Sequence, residues 1–435
     1  MSGPVSGLIT GPIARRDVIG GLGWAGLAVA GSMALPRLAA AVETDAVPGD
    51  VTAANDFDEL WGTLASNYCF FGEKRTDWDK VRALYRPQAL AAQSIEEFTG
   101  VVHAVLGELY DIHTHLKQTA DGAPRWPLFD LMGEWHDGSA RIISVAEDSA
   151  AARAAIRPGD EIVDVDGVSI ATATLARRPR CLTEPHREAN DYALNCVLAG
   201  HRARPRQMLI HRPGQGSRMV DLPLSNPAAG ADSPADVEWR GLDDNLGYIA
   251  IRSFADDAVV AAFDAALLAL RDTRGLIIDV RNNGGGDTAV ARPIMGRFIT
   301  ERLPYARMRR RSGDGDRRAL TAAWTEYVDP TGPFTYTRPV VVLTNYWSAS
   351  MAEGFPMGMR GIGRAKVVGT PMMALGAAVF DLRLNRTGVD AQYSAEPVYD
   401  VRDQPRWTMR PDVEVATEAD VLAEGIRVVS QMANG

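Results

Sequence analysis

A short apolar run that ends in three consecutive glycines is the first stretch whose residue types could do chemistry. Residues 276–286 read Leu-Ile-Ile-Asp-Val-Arg-Asn-Asn-Gly-Gly-Gly. The branched apolar residues predict a buried strand of a parallel sheet. The loop after it, with Gly284, Gly285 and Gly286, presents backbone N–H groups with no side chains in the way, and it could hold a developing negative charge. The simpler alternative is that Asn283-Gly284 only forms a turn.

A serine at a second strand-to-helix junction is the candidate nucleophile. A strand predicted at 339–344 runs into residues 345–353, Asn-Tyr-Trp-Ser-Ala-Ser-Met-Ala-Glu. The amides and the dipole of the following helix could stabilise negative charge on a substrate oxygen bound at Ser350. Ser350 and Glu353 also have the spacing of a capping box. In that alternative the serine would only stabilise the start of the helix.

Two histidines lie two residues apart in the segment 111–115, Asp-Ile-His-Thr-His. This alternating spacing predicts a strand that points both imidazoles to the same side. A neutral imidazole can accept a proton near neutral pH, so His113 and His115 are candidate bases. A metal site would need a third ligand, and no candidate lies nearby in the sequence.

The rest of the chain must position these residues. Helical spacing of apolar residues predicts an N-terminal helical region, short strands and turns predict a β-rich module, and alternating strands and helices predict an α/β domain with parallel crossovers. The predicted boundaries are 55–118 for the helical region, 126–225 for the β-rich module and 240–430 for the α/β domain.

The first 41 residues have the layout of a twin-arginine signal peptide. Arg15-Arg16 precede a Gly/Ala/Leu-rich run at 18–34, and three alanines at 39–41 form a small-residue cleavage site. The alternative is a retained membrane anchor, but the 17-residue run with five glycines is short for a span. The sequence therefore predicts an exported protein, periplasmic or secreted, with no stable membrane span after processing.

Charge and cysteine content limit the possible partners. The formal net charge is −9, and cleavage after Ala41 removes three arginines and one aspartate, which changes it to −11. Such an acidic chain is a poor binder of nucleic acid. The segment 307–318 contains six arginines but also Asp314 and Asp316, which favours a solvated loop over a binding patch. Cys69, Cys181 and Cys196 lack metal-site spacing, and a disulfide between two of them is left open.

Residues 157–167, Arg-Pro-Gly-Asp-Glu-Ile-Val-Asp-Val-Asp-Gly, resemble the segment that follows the short helix of a PDZ domain. PDZ domains usually bind a peptide C-terminus as an added strand and hold its carboxylate in a glycine-containing loop. The segment 128–134, where that loop would fall, has no matching glycine pair. Capture of a peptide tail and a structural or gating role therefore both remain open.

The glycine loop, the Ser-Ala-Ser-Met-Ala-Glu segment, the PDZ-like module and the upstream Asp-x-His-Thr together resemble the C-terminal processing (tail-specific) peptidase family, with its tricorn-like and retinoid-binding-protein-like relatives. The resemblance extends from about Phe57 to Val415. It implies a crotonase/ClpP-like α/β peptidase domain with an N-terminal helical region and a PDZ-like module. It also implies a peptide or protein substrate and no metal or organic cofactor.

The resemblance also implies roles for individual residues. Ser350 matches the nucleophile, and the oxyanion hole would be formed by Gly285 or Gly286 together with the Met351 amide. The lysine of the Ser–Lys branch is replaced by Leu375, which cannot accept a proton. Lys366 matches a variable strand position and is a weak substitute.

His113 matches the histidine base of the tricorn-like branch, so the chain is expected to be closer to that branch, with His115 as an alternative base. The glutamate that orients this histidine is expected near 405–407, where no acid occurs. Asp403, Asp400 or Glu396 could take its place.

Two hypotheses follow. The first is an exported serine hydrolase, a peptidase that forms an acyl-enzyme on Ser350 with His113 as general base. The second is a catalytically silent protein on the same fold that binds peptides or hydrophobic ligands.

Overall fold

The computed structural model describes residues 50–117, 130–147, 149–201, 204–223, 235–313, 315–416 and 420–435. The predicted signal peptide lies outside the described residues. Within the described ranges, no helix is both long enough and apolar enough to cross a membrane.

The N-terminal region consists of three helices and one short strand, which confirms the helical prediction for this part of the chain. Their apolar faces pack on one another and on the last antiparallel strands of the chain, so this region and the C-terminal region share one core. Ser94 begins the third helix by accepting a hydrogen bond from the Glu97 amide at 3.1 Å. The elements are α1 (Asp50–Asn67), α2 (Trp78–Ala91), α3 (Ile95–Gly107) and β1 (His115–Leu116).

The predicted strand through 111–115 is wrong. Residues 111–114 form a turn, and only His115 and Leu116 are extended. The turn forms because the Asp111 carboxylate accepts hydrogen bonds from the His113 amide at 3.0 Å and from the Thr114 hydroxyl at 2.7 Å. Aspartate often folds the backbone two residues ahead of itself in this way, and this local bond overrides the alternating pattern.

The PDZ-like module is a twisted antiparallel sheet with strand order β2-β3-β4-β6-β7, and β5 pairs with β4. Apolar side chains of the sheet and of its helices form a separate core. The elements are β2 (Leu131–His136), β3 (Ser139–Val145), α4 (Ala150–Arg153), β4 (Glu161–Val165), β5 (Val168–Ser169), α5 (Ile170–Ala176), α6 (Arg187–Ala199), β6 (Arg206–Arg212) and β7 (Gly216–Leu222).

Side chains of α6 occupy the outer edge of β2. Asn195 accepts a hydrogen bond from the Gly133 amide and donates one to the Gly133 carbonyl, both at 2.9 Å. Asp191 accepts a hydrogen bond from the Trp135 amide at 2.7 Å. These contacts take the place of the main-chain bonds that an added peptide strand would form. In this structure the edge is therefore closed to strand addition.

The α/β domain is built on a six-stranded sheet with strand order β17-β14-β13-β10-β9-β8. All neighbouring strands are parallel except the β8–β9 pair. Helices α7, α8 and α9 cover one face and α10 covers the other, so the central strands are buried on both sides. The elements are β8 (Val237–Leu242), β9 (Leu246–Ile251), α7 (Ala258–Ala269), β10 (Gly275–Asp279), α8 (Thr288–Gly296), β11 (Leu303–Met308), β12 (Trp324–Val328), β13 (Val340–Thr344), α9 (Met351–Gly361), β14 (Ala365–Gly369), β15 (Ala377–Arg383), β16 (Asp390–Tyr399), β17 (Val413–Glu414) and α10 (Val421–Asn434).

A second sheet joins the two ends of the chain. Its order is β1-β16-β11-β12, with β15 paired to β16. The pairing of His115 with Gln392 attaches the histidine turn to β16. The two sheets therefore bring the turn at 111–114 next to the carboxyl ends of β10 and β13.

The three cysteines are free thiols and are buried. Burial raises the pKa of Cys196 to about 11 and that of Cys181 to about 12. Thiols in this state are protonated at neutral pH and are poor nucleophiles.

Candidate active site

One pocket brings together the candidate nucleophile, the candidate base and the glycine loop. It lies where the carboxyl ends of the parallel strands meet the second sheet. Its lining includes His113, Gly286, Ser350 and Met351, together with Lys117, Asp287, Thr288, Tyr305, Ala306, Met308, Gly354, Met357, Ala377, Ala378, Val379, Asp381, Gln392, Val398 and Arg406.

The glycine loop is held in shape by Asn283, which is fully buried. The side chain of Asn283 donates to the Ile251 carbonyl at 3.0 Å and accepts from the Gly285 amide at 2.8 Å. The Gly285 amide is therefore engaged within the loop. Gly286 has φ of 137°, and a Cβ at this position would lie 2.2 Å from the Phe254 backbone. Only glycine fits there, and among the described residues no hydrogen-bond acceptor is assigned to the Gly286 amide.

Ser350 lies at the junction of β13 and α9 in an unusual backbone conformation. Its φ is 53° and its ψ is −114°, a region that non-glycine residues rarely adopt and that is concentrated at functional sites. Gly285 packs directly against it, since a Cβ on Gly285 would lie 2.7 Å from the Ser350 Cβ. The next residue, Met351, begins α9, so its amide has no acceptor within the helix.

The capping-box alternative for Ser350 is wrong. The Ser350 side chain makes no capping hydrogen bond with α9. The Glu353 carboxylate turns away from the start of the helix and accepts a hydrogen bond from the Leu375 amide at 3.0 Å. The Ser350 hydroxyl is therefore not used to cap the helix.

His113 is placed by the turn that Asp111 organises. Asp111 also accepts a hydrogen bond from the Ser394 hydroxyl of β16 at 2.8 Å, and the Gln392 side chain donates to the His113 carbonyl at 3.1 Å. These bonds fix the backbone of the turn on both sides of His113. The imidazole is 3% exposed and faces the pocket.

Neither ring nitrogen of His113 has a hydrogen-bond partner among the described residues. Burial is the main cause that lowers the pKa of His113 to about 3; Asp111 opposes the shift, and the Arg406 cation and His115 contribute to it. The imidazole is therefore neutral at neutral pH. It can accept a proton, but in this arrangement no carboxylate bonds to it to favour the imidazolium form.

The other predicted candidates lie elsewhere. His115 has Nδ1 2.8 Å from the Leu116 carbonyl oxygen and is not part of the pocket lining, and Lys366 is exposed on β14. None of the three candidate acids lines the pocket: Asp403 pairs with Arg309 at 2.6 Å, Glu396 pairs with Arg310, and Asp400 accepts the Arg402 and Gln404 amides at 2.8 Å.

Sequence reasoning missed three charged residues of the pocket. Lys117, directly after β1, and Asp381 on β15 form an ion pair at 2.6 Å, and both of these strands pair with β16. Arg406 occupies the place where the resemblance predicts an acid, and it is 6% exposed. Arg406 could not be predicted because an acid was expected at 405–407. Its partner Glu353 is also far away in the sequence, so no local pattern connects the two residues.

The arrangement suits acyl transfer. A substrate carbonyl at Ser350 would lie beside the Gly286 and Met351 amides, which could donate to its oxygen as negative charge develops. The apolar side chains of Met308, Val379 and Val398 line the same space. The neutral His113 ring is the group of the pocket that could accept the serine proton.

Two solved protease structures share the fold of this chain. Mature CPAF superposes with a TM-score of 0.59 and 17% identity, covering 88% of this chain and 98% of that chain. The photosystem II D1 C-terminal processing protease superposes with a TM-score of 0.54 and 18% identity, covering 87% of this chain and 97% of that chain. This chain therefore has the fold of these proteases.

Three family models match the chain in the order of its domains. The Tricorn protease C1 domain matches residues 51–107, the PDZ domain matches 129–188, and Peptidase family S41 matches 245–415. The match to peptidase family S41 covers the part of the α/β domain that contains Ser350 and the glycine loop. The predicted resemblance and the mixed α/β fold, with a PDZ domain and an N-terminal helical region, are confirmed. The closer relation to the tricorn-like branch stays a prediction.

Curated relatives are carboxy-terminal processing proteases. CtpB of Bacillus subtilis (strain 168) is 29% identical over 241 residues, which are 54% of this chain and 43% of that protein. The chloroplastic C-terminal processing peptidase of Tetradesmus obliquus is 27% identical over 161 residues, or 33% of this chain and 30% of that protein. The chain spans less than half the length of these relatives.

Proposed function

We propose that this protein is a serine peptidase that cleaves peptide bonds through an acyl-enzyme on Ser350, with His113 as the general base. The observation that carries the proposal is the strained backbone of Ser350, held against Gly285 in a pocket that also contains His113. The relatives named above are processing proteases, which supports a peptide or protein substrate.

In the proposed mechanism, His113 takes the Ser350 proton as the serine oxygen attacks the substrate carbonyl. The Gly286 and Met351 amides donate to the oxyanion, and each such donor is worth about 3–4 kcal/mol of barrier in serine hydrolases. We assign the hole to Gly286 rather than Gly285 because the Gly285 amide already donates to Asn283. His113 then gives its proton to the leaving amine and activates the water that releases the acyl group.

A fluorophosphonate probe tests this proposal. The purified chain is expected to take up one label, and peptide mass mapping should place it on Ser350. Ser350→Ala should not be labelled, whereas Ser169→Ala, which removes an exposed hydroxyl of the PDZ-like module, should be labelled as wild type. A label on any other residue, retained in Ser350→Ala, would contradict the assignment of the nucleophile.

The second candidate function is a catalytically silent protein that binds peptides or hydrophobic ligands in the same pocket. One observation favours it: both ring nitrogens of His113 are buried without partners in the described part of the chain, so no hydrogen bond seen there orients the base. A folded wild-type protein that takes up no probe at any pH between 6 and 9 would support this candidate over the peptidase.

We also propose that the protein is exported through the signal predicted at 1–41. The basis is the order of Arg15-Arg16, the apolar run and the three alanines. Expressed from residue 1 in a host with a twin-arginine pathway, the protein should be recovered from the periplasm with a mass that lacks residues 1–41. Substituting both arginines with lysine should retain it in the cytoplasm, and export that is indifferent to this change would rule out the twin-arginine route.

A further inference from the structure

Two buried charged side chains lie beside Ser350 and have no role in the proposed reaction. Glu353 is one helical turn beyond Ser350 on α9 and is 1% exposed, and Arg406, which lines the pocket, is 6% exposed. Arg406 Nε lies 3.7 Å from Glu353 Oε2, and neither atom has a hydrogen-bond partner among the described residues. When two charges are buried at this separation, the free-energy cost of removing them from water usually exceeds the gain from their mutual attraction. Stability alone does not explain the pair.

Both side chains hold the backbone around Leu375. Glu353 Oε1 accepts the Leu375 amide at 3.0 Å, and Arg406 Nη2 donates to the Leu375 carbonyl and, at 3.1 Å, to the Ala377 carbonyl. The preceding Ala374 has φ of 65°, a conformation that alanine rarely adopts. The pair therefore clamps a strained segment that leads directly into the pocket wall at Ala377 and Ala378.

We propose that Glu353 and Arg406 are positioning residues for the Ser350–His113 reaction. Together they fix the pocket wall at 374–378. In addition, the negative charge of Glu353 offsets the positive charge that Arg406 places beside the His113 ring. This inference rests on the proposed function.

The charge state of Glu353 then controls how readily His113 accepts a proton. Burial raises the pKa of Glu353 to about 7, although Arg406 opposes the shift. Among the described residues, the charged and titratable groups around His113 are Asp111 and His115 from its own segment, Arg406 with Glu353 behind it, and Asp287, Lys117, Asp381 and Tyr305 from the rest of the pocket wall. Above pH 7 the Arg406 charge is balanced. Below pH 7 Glu353 is protonated, and the unbalanced cation disfavours the imidazolium that forms as Ser350 attacks.

Labelling rates and the titration of His113 test the proposal in the full chain. The wild-type labelling rate should fall as the pH drops through about 7. In Glu353→Gln this fall at acidic pH, the acidic limb of the pH profile, should be absent, and the labelling rate at pH 8 should be about 10-fold lower than that of wild type. Arg406→Met should raise the pKa of His113, followed by NMR of ¹³C-labelled histidine, and Arg406→Lys, which keeps the cation, should restore the wild-type value. Asp160→Asn breaks a different buried ion pair, with Arg212 at 2.6 Å, and should keep the wild-type pH profile.

The outcomes separate the failure of this inference from that of the proposed function. An acidic limb that persists unchanged in Glu353→Gln, or a His113 pKa that is the same in Arg406→Met and wild type, would overturn the inference even if Ser350 labels normally. If wild type does not label at all, the peptidase proposal fails, and the NMR titration still decides whether Arg406 acts on His113. If Arg406→Met does not fold, the Glu353→Gln profile decides.

Discussion

Replacing His113 with glutamine is expected to slow fluorophosphonate labelling of Ser350 by about 10²–10⁴-fold, the usual contribution of a positioned general base. Glutamine has a similar length and keeps a polar group in the buried position, but it cannot take up the serine proton. The fold should persist, because the turn is held by the His113 backbone amide and carbonyl and not by its ring. Second-order labelling rates at pH 8, with unfolding curves for each variant, provide the measurement.

Two other histidine variants serve as controls. His103→Gln on α3 is outside the pocket lining and should label as wild type. His115→Gln tests the alternative base. If labelling survives in His113→Gln and is lost in His115→Gln, the two histidines exchange roles, and if it survives in both, the proton acceptor is another group.

Asp111→Ala is expected to destabilise the protein by at least about 3 kcal/mol, because it leaves three buried donors without their acceptor and each such loss costs about 1–3 kcal/mol. The donors are the His113 amide and the hydroxyls of Thr114 and Ser394. The turn that carries His113 should loosen, so the labelling rate of the folded fraction should fall by about 10-fold or more. Denaturant unfolding and labelling rates at 15 °C measure the two effects separately.

Asp56→Ala is the matched control for this prediction. Asp56 is also fully buried, and it also accepts three donors, the amides of Arg386 and Thr387 and the Thr387 hydroxyl. Its loss should also destabilise the protein, though less than Asp111→Ala because its donors are only partly buried, and it should leave the labelling rate of the folded protein unchanged. Asp111→Asn should be milder in both respects, since its amide oxygen still accepts from the His113 amide and the two hydroxyls can turn to accept. Equal labelling rates for Asp111→Ala and Asp56→Ala would show that Asp111 has no special relation to the site.

The elements of the α/β domain were predictable because their patterns are local. The apolar run before the glycines and the run before Asn345 are short and rich in branched residues, and both are central parallel strands in the structure. Asp287 caps α8 by accepting the Ala289 amide at 2.7 Å, as aspartate commonly does just before a helix. The turn at 111–114 was missed because an alternating pattern predicts a strand, whereas a single aspartate side chain was sufficient to fold the backbone back.

The sequence by itself determined the resemblance to C-terminal processing peptidases, the order of the domains and the candidates Ser350, His113 and the glycine loop, because each depends on residue types at fixed short spacings. Only the tertiary structure decided that Ser350 does not cap its helix and that the Gly285 amide is already engaged. It also decided that the candidate base His113 is buried with no bonded partner among the described residues, and that Arg406, paired with Glu353, lies where an acid was expected. These features depend on contacts between segments far apart in the chain, such as Glu353 with Arg406 and His113 with Gln392, and on burial, which sets the pKa of each group.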